Sequence, residues 1–300
     1  MYIFMRLWQR LAPHKLLIFI RLLLESKELK ARRLKVLEHF STTDPRTVDP
    51  EISEALSYLK NHKYSAFPYD WTHKYDNLLP EVFKDNQNNR LYILFDGKRM
   101  YFPAKYTKKH VTWAARSILK EQDLKSPHLY LTNGFQVDEG SIVVDAGVAE
   151  GNFALMAVEK AKRLYLIECN PEWIDALKLT FEPWKDKVIF VEKFLSDSKG
   201  ESTTSIDALI QPGAAERYFI KMDIEGFEQK ALSGMKNLVA SGCPIKMDIC
   251  TYHRPNDLTE IRTILNDYSF KSKVSDGYVL YFMPGEEPSF RKVLIRAEKS

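Results

Sequence analysis

The sequence predicts an α/β fold built on a parallel-rich sheet with helices on both faces. Three observations predict it. From about residue 129, apolar runs of strand length alternate with amphipathic runs of helical length. The strand-like runs are apolar nearly throughout, as strands covered on both faces are. The first junction, IVVDAGVAEGN (142–152), passes from an apolar run through two glycines into a helical pattern. Such strand–turn–helix junctions are where these sheets bind ligands.

Taken in order, residues 16–40 have a helical pattern that becomes mixed-charge after Glu25. STTDPRTVDPE (41–51) has two Asp-Pro steps and reads as a loop, with Asp49 or Pro50 opening the next helix. EISEALSYLKNHK (51–63) places Ile52, Leu56 and Leu59 on one helical face, and 64–90 is aromatic and polar without a period. RLYILFDGKRMYFPA (90–104) is two β runs around Asp96-Gly97, a dipeptide that tolerates the positive φ of a tight hairpin. HVTWAARSILKEQD (110–123) is a helix. In the repeating region GSIVVDAG (140–147), LYLIE (164–168), KVIFVEKFLS (187–196), RYFIKMDIEG (217–226) and PIKMDIC (244–250) read as strands. GNFALMAVEKAKR (151–163), PEWIDALKLTFEPW (171–184), TTSIDALIQ (203–211), FEQKALSGMKNLVASG (227–242) and DLTEIRTILNDYSF (257–270) read as helices. GYVLYFMP (277–284) and RKVLIRA (291–297) have no helix between them and predict an antiparallel hairpin at one sheet edge. This divides the chain into an N-terminal helical and hairpin extension, 1–110, and a ligand-binding domain, 111–300.

The 300 residues suffice for one large core or a core with a smaller appendage. A net charge of +4, from 44 basic and 40 acidic side chains, gives no reason to expect a nucleic-acid partner. Cys169, Cys243 and Cys250 are odd in number and show no ligand spacing, so no disulfide framework or structural zinc is expected and a reducing, cytoplasmic setting fits. No apolar run is long enough to span a membrane. Residues 1–24 carry Arg6, Arg10, Lys15 and Arg21 and no acid. A helix packed on its own domain is the favoured reading; peripheral membrane contact by a basic amphipathic helix is the other.

The glycine junction reads DxGxxxG rather than GxGxxG. Gly147 and Gly151 allow close backbone approach to a ligand, and Asp145 and Glu150 bring carboxylates that would repel a pyrophosphate but suit a cation. S-adenosylmethionine carries a sulfonium and an ammonium group and fits both features. Glu168 ends the next strand 23 residues after Asp145, where an acid can accept both ribose hydroxyls. Asp197, after the third strand, accepts the adenine amino group or lies in a surface turn.

The chain resembles the FkbM family of S-adenosylmethionine-dependent methyltransferases. The pieces that carry the resemblance are SPHLY (126–130), VVDAGVAEGNFAL, LIECNPEW, LSDSKG, TSIDALI and above all FIKMDIEGFEQKALSGM, in order over 126 to about 250. Cys169 stands where the family usually carries proline, and Asp248 where a glutamate is expected. The resemblance implies a Rossmann-like seven-stranded sheet, order 3-2-1-4-5-7-6 with strand 7 antiparallel. It also implies methyl transfer to a hydroxyl of a sugar, glycan, glycolipid or polyketide.

Such transfer needs alignment of acceptor oxygen, methyl carbon and sulfur, helped by a base near the hydroxyl. Asp223 and Glu225 lie two apart; on a continuing strand they face the same side. Asp223 is expected to line the methyl-transfer site, and Glu225 to bind or deprotonate the acceptor or else to cap the next helix. His253 is the base or a satisfied loop histidine. Asp223, Glu225, Asp248 and His253 could together hold a divalent ion, but no metal is assigned. Lys221 reads as a wall residue. The competing readings are a nucleotide-dependent oxidoreductase, which the missing GxGxxG opposes, an RNA or protein methyltransferase, and a non-catalytic scaffold.

Overall fold

The computed structural model describes residues 14–43, 48–213, 215–283 and 285–300. Of the basic segment 1–24, residues 1–13 lie outside them, and no described helix is long and apolar enough to cross a membrane. The chain forms two compact units, Met1–Asp70 with Val279–Phe290, and Trp71–Tyr278 with Arg291–Ser300.

In the first unit α1 (His14–Ser41) and α2 (Pro50–Asn61) share a core of Val36, Tyr58, Leu59 and Leu280. Asp49 caps α2, accepting the Glu51 N–H at 2.8 Å, and Pro50 opens it, as its fixed φ favours.

The second unit begins with a three-stranded antiparallel sheet (Phe83–Lys84, Leu91–Phe95, Lys98–Tyr101) and α3 (Lys108–Glu121). Asp96 and Gly97 turn its hairpin with φ of 50° and 72°, the pair of left-handed residues that this turn requires. The main sheet comprises β1 (Ser141–Ala146), β2 (Ala161–Ile167), β3 (Val188–Val191), β4 (Tyr218–Met222), β5 (Ile245–Cys250), β6 (Lys271–Val274) and β7 (Leu294–Lys299). Their order is β3-β2-β1-β4-β5-β7-β6. β1 to β5 pair in parallel, and β7 runs antiparallel to both neighbours. The helices α4 (Asn152–Ala157), α5 (Pro171–Thr180), α6 (Ile206–Leu209), α7 (Glu228–Ser233), α8 (Lys236–Ala240) and α9 (Asp257–Asp267) connect them.

The two faces of this sheet differ. Val144, Ile220, Met247 and Ala297 form one cross-strand row in the apolar core beneath α7, α8 and α9. The next row, on the other face, reads Asp145, Lys221, Asp248, Arg296: four buried or nearly buried ionisable side chains, acid alternating with base across β1, β4, β5 and β7.

Several expected elements change shape. The hairpin expected from 277–284 and 291–297 is not formed: β7 pairs with β6 at 271–274, and lies inside the sheet rather than at its edge. Val279–Tyr281 joins Ser289–Arg291 in a separate ribbon. The run 187–196 breaks after Val191, and Phe194–Leu195 pairs with Thr203–Thr204. The helix expected over 227–242 is two helices. The Asp207 carboxylate caps the second, taking the N–H groups of Asn237 at 2.9 Å and Leu238 at 3.0 Å, and Gly234 lies so close to Ser196 that a side chain there would overlap its carbonyl.

Asp248 is fully buried, with the Arg296 Nε 3.7 Å away and no hydrogen-bond donor on either oxygen among the described residues. Burial pushes its carboxyl up to about 8, against the opposing pull of Arg296. The folded chain therefore keeps a proton that the unfolded chain releases near 3.8. The stability tied to that proton is complete at low pH and is lost as pH rises towards about 8. Thermal denaturation of Asp248→Asn should show a smaller fall in Tm than wild type between about pH 5 and 8. Parallel curves would place the proton on another group.

Candidate active site

The glycine junction leaves β1 through three left-handed residues, Gly147 (φ 73°), Ala149 (φ 46°) and Gly151 (φ 83°). A side chain at Gly147 would overlap the Asp223 carbonyl, and one at Gly151 would lie 2.8 Å from Leu177. The loop is therefore wound tightly against the end of β4 and against α5. Glu168, just past β2, holds it: one carboxylate oxygen accepts the Ala149 N–H at 3.1 Å and the other the Asn170 N–H at 2.8 Å. Glu150 is half-buried, and burial raises its carboxyl. Asp197, past β3, is exposed in a turn, accepting the hydroxyls of Ser196 at 3.3 Å and Ser198 at 3.0 Å. Gly147 to Gly151, Glu168 and Asp197 thus follow three neighbouring strands, β1, β2 and β3.

Asp145 does not face this loop as a free carboxylate. It is fully buried, 3.1 Å from the Lys221 ammonium on β4. Burial raises its carboxyl, and Lys221 pulls it back. Lys221 also donates to the Gly147 carbonyl at 2.7 Å and the Ala146 carbonyl at 3.4 Å. This side chain, read as a wall residue, is a cross-link between the β4 strand and the loop. Removing one partner of such a buried pair costs about 3–5 kcal/mol.

Beyond β4 the site centres on Asp223. Its carboxylate meets His253 Nε2 at 3.2 Å and the Tyr130 hydroxyl at 2.9 Å, with His128 Nε2 at 3.7 Å. The other ring nitrogen of His253 lies 3.0 Å from Glu228, a fully buried carboxylate that also accepts the Ile224 N–H at 2.9 Å. Burial would lower the His253 imidazole, but its hydrogen bonds to Asp223 and Glu228 prevail and raise it to about 10. Burial likewise opposes a charge on Asp223, yet His253 and Lys221 hold its carboxyl well below the usual range. Burial drives His128 down to about 4, so it is neutral at pH 7; the Tyr252 hydroxyl lies 3.3 Å from its Nε2.

The structure brings Asp223 and His253 together, and places Glu225 differently from the strand expectation. β4 ends at Met222, Glu225 takes φ of 57°, and its side chain is 86% exposed with an oxygen 4.0 Å from His253 Nε2. His253 is an imidazolium shared by two carboxylates, so base action would require it first to lose that proton. The sequence reading missed Glu228, His128 and Tyr130. Glu228 lies in the quoted EGFEQKAL string and SPHLY was noted, but both matter through contacts across more than 20 residues. Ligand atoms of Asp223, Glu228 and His253 lie within 4.8 Å of one another, as do those of His128, Asp223 and Cys250. In the first group the His253 proton already occupies the shared space.

One comparison bears directly on this region. The family model described as the methyltransferase FkbM domain matches residues 180–272. That stretch is similar to the FkbM methyltransferase domain. The FkbM match includes Asp223, Glu225, Glu228 and His253, while the glycine loop and Glu168 precede it. It bears out the family resemblance, and a methyltransferase using S-adenosylmethionine accords with it. No curated protein matches the chain. Among solved structures, an FkbM methyltransferase from Methylobacillus flagellatus KT is 18% identical over 63% of this chain and 54% of its own, with a TM-score of 0.43. The chain thus spans about half the length of that protein. Trm5b from Pyrococcus abyssi is 17% identical over 70% and 55% of the two chains, TM-score 0.35. SMU.1697c from Streptococcus mutans, solved in complex with SAH, is 14% identical over 55% and 91%, TM-score 0.35.

Two outcomes test the geometry. Histidine side-chain NMR should show His253 protonated up to about pH 10 and His128 neutral from about pH 5 upward. Glu228→Gln should shift the His253 titration downwards, and an unshifted titration would remove Glu228 from the network. Gly147→Ala should cost about 1–3 kcal/mol or more, since it adds both a strained φ and an overlap with the Asp223 carbonyl; denaturant unfolding measures this.

Proposed function

We propose that the protein is an S-adenosylmethionine-dependent O-methyltransferase acting on a hydroxyl of a sugar, glycan, glycolipid or polyketide. The observation that carries this is the placement of Asp223, whose carboxylate is ionised and partly exposed and whose backbone carbonyl packs against Gly147 of the wound glycine loop. The residues fit the cofactor's chemistry. Gly147 to Gly151 would face its amino-acid end, Glu168 its ribose and Asp197 its adenine. Bound S-adenosylmethionine would supply the activated methyl group.

The chain's own residues would then position the acceptor. As the acceptor oxygen attacks, it gains positive charge, and a carboxylate beside it stabilises that charge. Asp223 suits this role because His253 and Lys221 keep it ionised. The same depressed pKa makes it a weak base. Glu225 opens to water beside the same histidine and is the group we assign to take the hydroxyl proton. Tyr130 and His128 fix the second oxygen of Asp223 and close its inner side.

Calorimetric titration of S-adenosylhomocysteine into wild type and Glu168→Ala, with NADH alongside, tests the reading. Binding to wild type, weakened about tenfold or more in the variant and absent for NADH, is expected; a lost bidentate contact to a ligand is worth at least ~1.4 kcal/mol. Binding of NADH, or of neither ligand, would overturn it.

A further inference from the structure

Beside the site lies a cluster that the mechanism does not use. Phe227 is 43% exposed, and two cations flank its ring, with Arg254 Cζ 5.7 Å and Lys230 Nζ 5.8 Å from the centroid. Among the described residues neither cation has a carboxylate within 4.0 Å. Both cations converge on one aromatic ring.

Their placement is fixed by buried groups. Asp257, 1% exposed, accepts the Arg254 N–H at 2.7 Å through one oxygen and the Gln229 side-chain amide at 3.1 Å through the other. It thereby ties the loop after β5 to α7, which carries Lys230. Gly226, at φ 88°, has no side chain to hold the guanidinium away: a Cβ there would lie 2.8 Å from Arg254 Nε. Arg254 follows His253, and Phe227 lies four residues past Asp223, so the cluster borders the reacting centre.

An exposed ring offers a stacking surface for another ring, and an Arg and a Lys close to it offer charge-assisted donors to an anion. Glu225, exposed on the His253 side, would repel an anion from the reacting centre itself and accept hydroxyls there. We infer that Phe227, Arg254 and Lys230 form an acceptor subsite for a glycosyl phosphate: a sugar ring lies on Phe227 and its phosphate between the two cations. This deepens the methyltransferase reading and rests on it. The phosphate could link the sugar to a nucleotide or to a lipid.

The test is titration of wild type saturated with S-adenosylhomocysteine with four probes: UDP-glucose, glucosyl decyl phosphate, methyl glucoside and inorganic phosphate. One or both phosphorylated sugars should bind about tenfold or more tightly than methyl glucoside and than inorganic phosphate. Preference for the UDP or the decyl probe identifies the carrier. Arg254→Gln, Lys230→Gln and Phe227→Ala, all at exposed positions, should each weaken that binding by about tenfold with S-adenosylhomocysteine affinity retained. Methyl glucoside binding as tightly, inorganic phosphate binding as tightly, or variants indistinguishable from wild type would each overturn the subsite. So would absence of sugar binding to protein that still binds S-adenosylhomocysteine, an outcome that leaves the proposed methyltransferase standing. Failure to bind S-adenosylhomocysteine would remove both.

Discussion

Lys221 carries its charge in the middle of a buried sheet, and much else follows from the need to satisfy it. An ammonium taken out of water is tolerable only with anions and acceptors on every side. Asp145 supplies one from β1, and the Ala146 and Gly147 carbonyls supply two acceptors from the chain that continues it. The Ala146 carbonyl faces β4 as part of the strand ladder, where it also accepts the Asp223 N–H at 3.1 Å, and the backbone turns left-handed at Gly147, the next residue. The wound loop and the buried ion pair are thus tied together through Lys221. The row continues outwards to Asp248 and Arg296, so that Lys221 and Arg296 each have a carboxyl one strand away. Such a row fixes register: sliding β4 by one residue against β1 would put Met222 opposite Asp145 and leave both charges unpaired.

The same need for compensation shapes the strand end two residues further on. Asp223 lies on the side of Lys221, and three groups converge on it from distant parts of the chain: Tyr130 and His128 from before the sheet, His253 from after β5. Glu228 then takes the far side of His253. A histidine between two carboxylates stays protonated, and its proton keeps Asp223 anionic. The arrangement fixes a carboxylate in place without leaving it eager for a proton.

How much of this was legible follows from the range of the interactions. Local signals came through: Asp49-Pro50 as a helix start, Asp96-Gly97 as a hairpin turn, and the glycines before α4, each set by one or two residues' own conformational limits. The chain-order alternation located β1 to β5. What failed depended on contacts between distant segments. The run 277–284 is as strand-like as 271–274, and only pairing with β7 decides which enters the sheet. Glu225 and Glu228 are both acids in one short string, but the backbone's left-handed step at Glu225 turns one to water and lets the other reach His253. Lys221 looked inert because its partner is 76 residues away.

The charges of the site close the argument. Asp145 and Lys221 cancel. Among the buried groups, Asp223 and Glu228 bring two negative charges and His253 one positive, which leaves one net negative charge at the end of β4, with the exposed carboxylate of Glu225 beyond it. The sulfonium of bound S-adenosylmethionine would find there a complementary charge on groups that are mostly buried, where attraction is stronger than at the surface. The neutral thioether of the product would lack that attraction. The buried network would thus favour the charged cofactor over its product by electrostatics. A second proton on the network, on Asp223 or Glu228, would erase the preference, which is why the hydrogen bonds from His253 and Tyr130 to Asp223 serve the chemistry as well as the fold.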